Sequence, residues 1–296
     1  LHQLRYVLAV ADTGNFTRAA ERCRITQPTL SQQLMKLERE FGQKLFHRLA
    51  RRAVPTETGL AFLEHARHIV AEVDDAAREL RDPQAARCIT VGATPTVAPY
   101  LLPRLLKRCR AFHPKLEVQI RENFRGPLMR AVIEGELDLA ITSLPVADRR
   151  ISVEPIFTDP LVLVVGKNHP LASRPRVTPK DLSGQTFVMM GDGSTLAQQI
   201  ERFFGDRYFE LRVAHRCAQV ATLKSLVALG AGLSILPKMA RAPGDEKSLV
   251  YKPLAGRTPV REIGVLRHMQ RYQSRGAEQF LAVLRKTAAS LQQLDE

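Results

Sequence analysis

Apolar residues near the start of the chain recur at helical spacing. Phe16, Ala19, Ala20 and Cys23 fall at i, i+3, i+4 and i+7, one face of a short helix, with Asn15 placed to cap it. A second stripe, Leu30, Leu34, Leu37 and Phe41, predicts another helix. Thr26 is its N-cap and Pro28 lies in the first turn, where a missing N–H costs nothing. At about 100° per residue, Pro28, Thr29, Gln32, Met35, Lys36 and Arg39 point away from that stripe. A basic stretch with Lys44, His47, Arg48, Arg51 and Arg52 follows. Two short helices at a tight turn, then a basic loop, are the layout of a winged helix-turn-helix, which lays its second helix in the DNA major groove.

From Thr56 a longer helical pattern runs to about Arg81, where Asp82-Pro83 stops it. Leu63, Ala66, Val70, Val73, Ala77 and Leu80 alternate at spacings of three and four, an a/d seam that pairs helices. The seam has two readings, packing on the chain's own body or self-association. Self-association places two recognition helices on one face of DNA and demands a two-fold symmetric operator.

After Pro83 the texture changes to alternating strands and helices. Strands at 88–93, 117–121 and 137–142 surround helices at 97–112 and near 126–134. A similar β-α-β-α-β order recurs with 186–190, 195–204, 211–215, 220–229 and 233–236. Two such units predict two α/β subdomains, with 161–165 and 262–267 as the strands that cross between them. Thr94-Pro95-Thr96 and Gly191-Asp192-Gly193-Ser194-Thr195 each sit where a strand turns into a helix. Helix N-termini present unpaired N–H groups and partial positive charge, a seat for a carboxylate or other small anion. Thr94, Thr96, Ser194 and Thr195 are therefore candidate effector contacts, or else plain N-caps. Asp192 would oppose an anion if it faced inward. Gly230 and Gly232 lie between a helix and a strand, the reverse of the dinucleotide order, and read as a helix C-cap and turn.

Charge adds to the first reading. The chain carries a formal charge of +14, and positions 1–56 hold ten basic against four acidic residues. Arg104, Lys107, Arg108 and Arg110 read as a solvated helix face. The longest aliphatic run, 161–165, is too short to span a bilayer, and no signal-peptide layout precedes it, so a cytoplasmic protein is expected. Cys23, Cys88, Cys109 and Cys217 form no C-x-x-C pair and have no His at zinc spacing. Cys23 and Cys109 read as small core residues. Neither metal nor cofactor is expected. No G-x-S-x-G, H-E-x-x-H or P-loop pattern suggests an enzyme.

The run from Leu4 to Arg48, with R-R-A-V-P-T-E-T-G after it, resembles the N-terminal domain of LysR-type transcriptional regulators. A-L-G-A-G-L-S-I-L-P at 228–237 resembles that family's C-terminal signature. The resemblance implies a winged helix-turn-helix at 1–58, a linker and dimerisation helix at 59–82, and an effector-binding domain at 83–296. That domain would be a two-subdomain, periplasmic-binding-protein-like α/β fold: subdomain I about 88–164 plus 267–296, subdomain II about 165–266. It implies double-stranded DNA, a small-molecule effector, RNA polymerase and further copies of the chain, as dimer or tetramer, as partners. It also implies DNA contacts by Gln27, Pro28, Thr29, Ser31, Gln32, Lys36, Arg48, Arg51 and Arg52, and adds Arg125 and Ser143 to the effector pocket. Some family members sense peroxide through a cysteine after a G-x-C element. The corresponding stretch here, Gly191 to Ser194, has no thiol, so that route is not expected. The alternative is a solute-binding protein whose N-terminal segment does not bind DNA.

Overall fold

A computed structural model describes residues 1–49, 52–81, 88–205, 208–256 and 258–293. The chain forms two compact units. The first contains α1 (His2–Thr13), α2 (Phe16–Arg22), α3 (Gln27–Phe41), a hairpin of β1 (Phe46–Leu49) and β2 (Arg52–Pro55), and the long α4 (Glu57–Arg81). Both expected caps form. The Asn15 side chain accepts from the amides of Thr17 and Arg18 at 2.8 and 3.2 Å, and Thr26 accepts from the Thr29 amide at 3.4 Å.

Val7, Val10, Ala19, Ala20, Leu30, Leu34, Leu37 and Phe46 make the core of this head. Two expectations change. Phe41 is 56% exposed, because Gly42 ends α3 in the left-handed conformation and leaves that last turn beyond the core; its ring rests 5.3 Å from that of Phe62. Cys23 is half-buried just past the end of α2 rather than inside the core. α1 has no counterpart among the expected elements, since its apolar residues run almost continuously from Tyr6 to Ala11.

The root of the hairpin is locked to α4. Thr56 donates its hydroxyl to the Lys44 carbonyl at 2.7 Å and accepts the Gly59 amide at 2.9 Å. A Cβ at Gly59 would stand 2.0 Å from the Leu45 carbonyl oxygen, so only glycine permits this approach. Along α4, Leu63 belongs to the head's own core and Ala66 is fully buried. Val70 and Ala77 are half-buried, while Ile69 and Val73 are exposed; the side chain of Leu80 lies outside the described residues. The start of the seam therefore packs on the head, and the exposed apolar stripe runs beside it through Ile69 and the seam's own Val73.

The second unit runs β3 (Cys88–Ala93), α5 (Ala98–Phe112), β4 (Glu117–Glu122), α6 (Arg125–Ile133), β5 (Leu139–Ser143), β6 (Ile151–Gly166), α7 (Pro170–Ser173), β7 (Thr186–Met190), α8 (Thr195–Gly205), β8 (Arg212–Cys217), α9 (Val220–Leu229), β9 (Ser234–Pro237), β10 (Leu249–Lys252), β11 (Val260–His268) and α10 (Arg275–Gln293). Parallel strands β4, β3 and β5 continue into antiparallel β11 and the first part of β6. From Leu161 onward β6 changes partners, to β9 and β10. One strand thus serves two α/β subdomains and β11 returns beside it.

Each subdomain has its own core. The first gathers Val91, Leu101, Leu105, Ile141, Val265 and Phe280. The second gathers Val165, Phe187, Leu196, Phe204, Leu223 and Ile235. The expected crossing segments prove to be only the most apolar parts of two longer strands. The earlier half of β6 contains Pro155 and Pro160 among polar residues, which hides it from a periodicity reading. Gly230, at φ 89°, ends α9 and donates to the carbonyls of Leu226 and Val227, so the glycine pair is the C-cap and turn expected.

Candidate DNA-reading face and effector cleft

α3 buries Leu30, Leu34 and Leu37 and exposes Gln27, Pro28, Thr29, Gln32 and Lys36, with Ser31 half-buried. Gln27 Nε2 donates to Ser31 Oγ at 2.9 Å, and the hydroxyls of Thr26 and Thr29 lie 2.8 Å apart. This polar edge at the start of the helix is pre-ordered. Arg52 is exposed on β2, opposite Leu49. Arg48 occupies β1 with only its backbone described, and Arg51 lies outside the described residues.

One residue missed from sequence fixes the hairpin against the helix. Glu38 Oε1 accepts the Leu45 amide at 2.8 Å and the Phe46 amide at 3.4 Å. An acidic residue on the flank of the polar face of α3, eight positions before β1, is the signal that could have found it.

In the second unit the end of β5 meets the N-terminus of α8, while the Thr94–Thr96 loop leads into α5. The Thr94 carbonyl accepts the amides of Val97 and Ala98 at 2.8 and 2.9 Å as the chain enters α5. Neither Thr94 nor Thr96 caps that helix through its side chain. The Thr94 hydroxyl is buried and has no hydrogen-bond partner among the described residues. Thr96 Oγ1 accepts from Arg261 Nη1 at 2.9 Å. Across the cleft, Ser143 Oγ and Thr195 Oγ1 meet at 2.9 Å, both buried. Ser194 is also buried, at the entry to α8.

Gln199, also unanticipated, donates Nε2 to the Leu144 carbonyl at 2.9 Å, and its buried Oε1 has no partner among the described residues. Gly193 lies against the Phe124 ring. Arg125 Nη1 donates to the carbonyls of Pro145 and Ser143 at 2.9 and 3.4 Å, and burial pulls this guanidinium below its ordinary pKa. Asp192 faces outward, 86% exposed and 3.2 Å from Arg216, so its charge does not oppose an anion in the cleft.

Behind the cleft, Arg261 of β11 is fully buried opposite its cross-strand partner Asp159 of β6. Burial lowers its pKa, and the Asp159 carboxylate counters that. The cysteines lie apart from the cleft hydroxyls in chemistry. Cys109 is pushed up to about 11 by burial, and burial also raises Cys217 and Cys23.

Comparison with known proteins agrees with this architecture. Residues 1–60 match the model of the bacterial regulatory helix-turn-helix protein, lysR family, and residues 83–289 match the LysR substrate binding domain. The DNA-binding transcriptional dual regulator OxyR of Escherichia coli K12 is 32% identical over 270 residues, covering 90% of this chain and 88% of that protein. A hydrogen peroxide-inducible genes activator of Pectobacterium carotovorum is 33% identical, covering 87% and 88%. A full-length OxyR variant from Pseudomonas aeruginosa superposes with a TM-score of 0.74 at 27% identity, over 96% of this chain and 97% of that one. Full-length CbnR in complex with its target DNA shares the fold, with a TM-score of 0.59 at 23% identity, over 97% of this chain and 98% of that one. With a helix-turn-helix head and a two-subdomain effector-binding region, the chain belongs to the LysR family of DNA-binding transcriptional regulators.

Proposed function

We propose that the chain reads a two-fold symmetric operator through α3 and is switched by a small anionic effector seated between the N-termini of α5 and α8. Thr29, Gln32 and Lys36, with Gln27, Pro28 and Ser31 at the start of the helix, face base edges and phosphates, and Arg48, Arg51 and Arg52 grip the backbone beside them. The exposed stripe through Ile69 and Val73 of α4 pairs copies of the chain as a dimer, or as a tetramer built from such dimers, in the cytoplasm. RNA polymerase is the partner downstream.

The observation that carries the effector reading is the Thr94 hydroxyl, buried and unpartnered among the described residues where the chain enters α5. A buried hydroxyl without a partner is costly and is satisfied when a ligand fills the site. Arg125, whose described partners are carbonyls, supplies the positive charge. Ser143, Thr195 and Ser194 complete the polar lining, while Thr96 Oγ1 already accepts from Arg261.

Several relatives bear names tied to hydrogen peroxide. In this chain the Gly191–Ser194 stretch has no thiol and burial disfavours the thiolates of Cys23, Cys109 and Cys217, so the reading excludes a thiol switch there. The test is a thermal-shift series with small aliphatic and aromatic carboxylates, run beside hydrogen peroxide. A carboxylate is expected to raise the melting temperature in proportion to log concentration, and Thr94→Val to abolish the rise. A shift unaffected by Thr94→Val, or a peroxide-dependent release of DNA that disappears when a cysteine is replaced by serine, overturns it.

A further inference from the structure

Among the described residues, the largest fully buried side chain is charged: it is Arg261. Its Nε and Nη2 donate to Asp159 Oδ2 at 3.0 and 2.8 Å. Nη1 donates to Thr96 Oγ1 at 2.9 Å and Nη2 to the Thr96 carbonyl at 3.0 Å. The other carboxylate oxygen, Asp159 Oδ1, accepts the amide of Met239 at 3.2 Å, and Met239 Sδ lies 3.2 Å from Nη2. Four pieces of chain therefore meet at one ion pair. They are the two crossing strands, the Thr94–Thr96 loop of the first subdomain, and the short turn after β9 in the second.

Stability alone gives a poor account of this pair. Two apolar side chains of similar volume are often as stable as a buried ion pair, because desolvation offsets the attraction. What apolar residues cannot do is fix the angle between four backbones through directional bonds. The position is specific too. Pro160 and Val260 are the last pair of the β6–β11 ribbon, and Asp159 and Arg261 are the pair next to it. The contacts of Ser143 with Thr195 and of Gln199 with Leu144 are between neutral groups. Neutral bonds of that kind are the weaker ones, so the charged cluster is the firmer of the two connections.

We propose that Arg261 is a positioning residue that transmits a shift of the Thr94–Thr96 loop, through Asp159, to the crossing strands and to the Met239 turn. A ligand that pulls on the loop through Thr94 moves Thr96, and the guanidinium bonded to Thr96 carries the movement into both subdomains. This rests on the effector reading of the cleft, but its test uses no ligand, so either can fail alone.

Thr96 reaches the Met239 amide, in the described hydrogen bonds, only by way of Arg261 and Asp159. Hydrogen exchange of that amide in the full-length chain is therefore the readout. Thr96→Val removes one acceptor for Arg261 and is expected to speed Met239 exchange about tenfold. Thr96→Ser, which keeps the hydroxyl, is expected to restore the original rate. In an Arg261→Met, Asp159→Leu background, Thr96→Val is expected to add nothing. Thr96→Ala serves in place of Thr96→Val should the latter not fold. Met239 exchange that stays within about twofold of the starting rate in the Thr96 variant, while the double variant raises it, overturns the proposal.

Discussion

The head and the effector region both place threonine, serine and glutamine near helix N-termini, but they use them in opposite ways. In the head these side chains are exposed or half-buried on α3, and the bonds of Thr29, Gln27 and Ser31 are to one another or to the cap. In the cleft Thr96, Ser143 and Thr195 are buried and bonded across the structure to Arg261 or to each other. A surface that must meet DNA is built so that binding is separable from folding. A cleft that must sense a ligand is built from groups on which the fold itself depends.

The strongest way to break this comparison is to strike the buried polar side. Asp159→Ala leaves the Arg261 charge buried without its carboxylate, which costs about 3–5 kcal/mol when one partner of such a pair is removed. The effector region is expected to unfold at much lower urea concentration, read by exchange of β5 and β11 amides, while exchange in α2 and α3 stays unchanged. Equal loss in both units would show that the two are not energetically separate.

The second test stays inside one helix. Leu34 is fully buried and Gln32, two positions before it, is exposed. Leu34→Ala is expected to cost about 2–5 kcal/mol of head stability through its cavity. Gln32→Ala is expected to change stability by no more than about 0.5 kcal/mol. It should nevertheless lose about 1–3 kcal/mol of discrimination between operator and scrambled DNA, measured by fluorescence anisotropy. Were Gln32→Ala to weaken both DNAs equally, Gln32 would be a backbone contact and α3 would sit differently in the groove.

The same contrast explains what could be read from the chain. The helix-turn-helix was legible because its signals are local: Asn15 and Thr26 cap within three residues, and Leu30, Leu34 and Leu37 repeat on one face. The loops at Thr94 and Ser194 were legible as strand-to-helix turns for the same reason. What joins them was not. Ser143 and Thr195 are 52 positions apart, and Asp159 and Arg261 are 102 apart. No window along the chain holds both partners. A trace exists in V-R-E-I-G-V-L, where an arginine interrupts an apolar strand and so requires a buried partner, but nothing local says which acid supplies it. The seam on α4 was legible in a different way. Its spacing was read correctly as a helix face, yet Leu63 and Ala66 lie where the helix still covers the head, and periodicity does not report what lies beneath.

The smallest effect concerns a carboxylate at the edge of the effector region. Glu154, on β6, accepts from Arg285 of α10 at 2.6 and 2.9 Å and from Arg267 of β11 at 3.4 Å. The Arg285 hydrogen bond holds its carboxyl below the ordinary glutamate value, outweighing partial burial. A carboxyl whose pKa is lower folded than unfolded contributes stability above the unfolded value, about 4.3, and loses it as pH falls through the folded value. Because Arg285 is half exposed, solvent screening keeps the contribution to about 1 kcal/mol or less. Between about pH 5 and the folded value, protection of β6 and α10 amides is therefore expected to decline in the original chain and to decline less in Glu154→Gln. The amides of α3 are expected to follow one pH profile in both proteins. A Glu154→Gln change that altered the α3 profile would mean that charge at the edge of the effector region reaches the DNA-reading helix, and the separation of the two regions would fail at its weakest point.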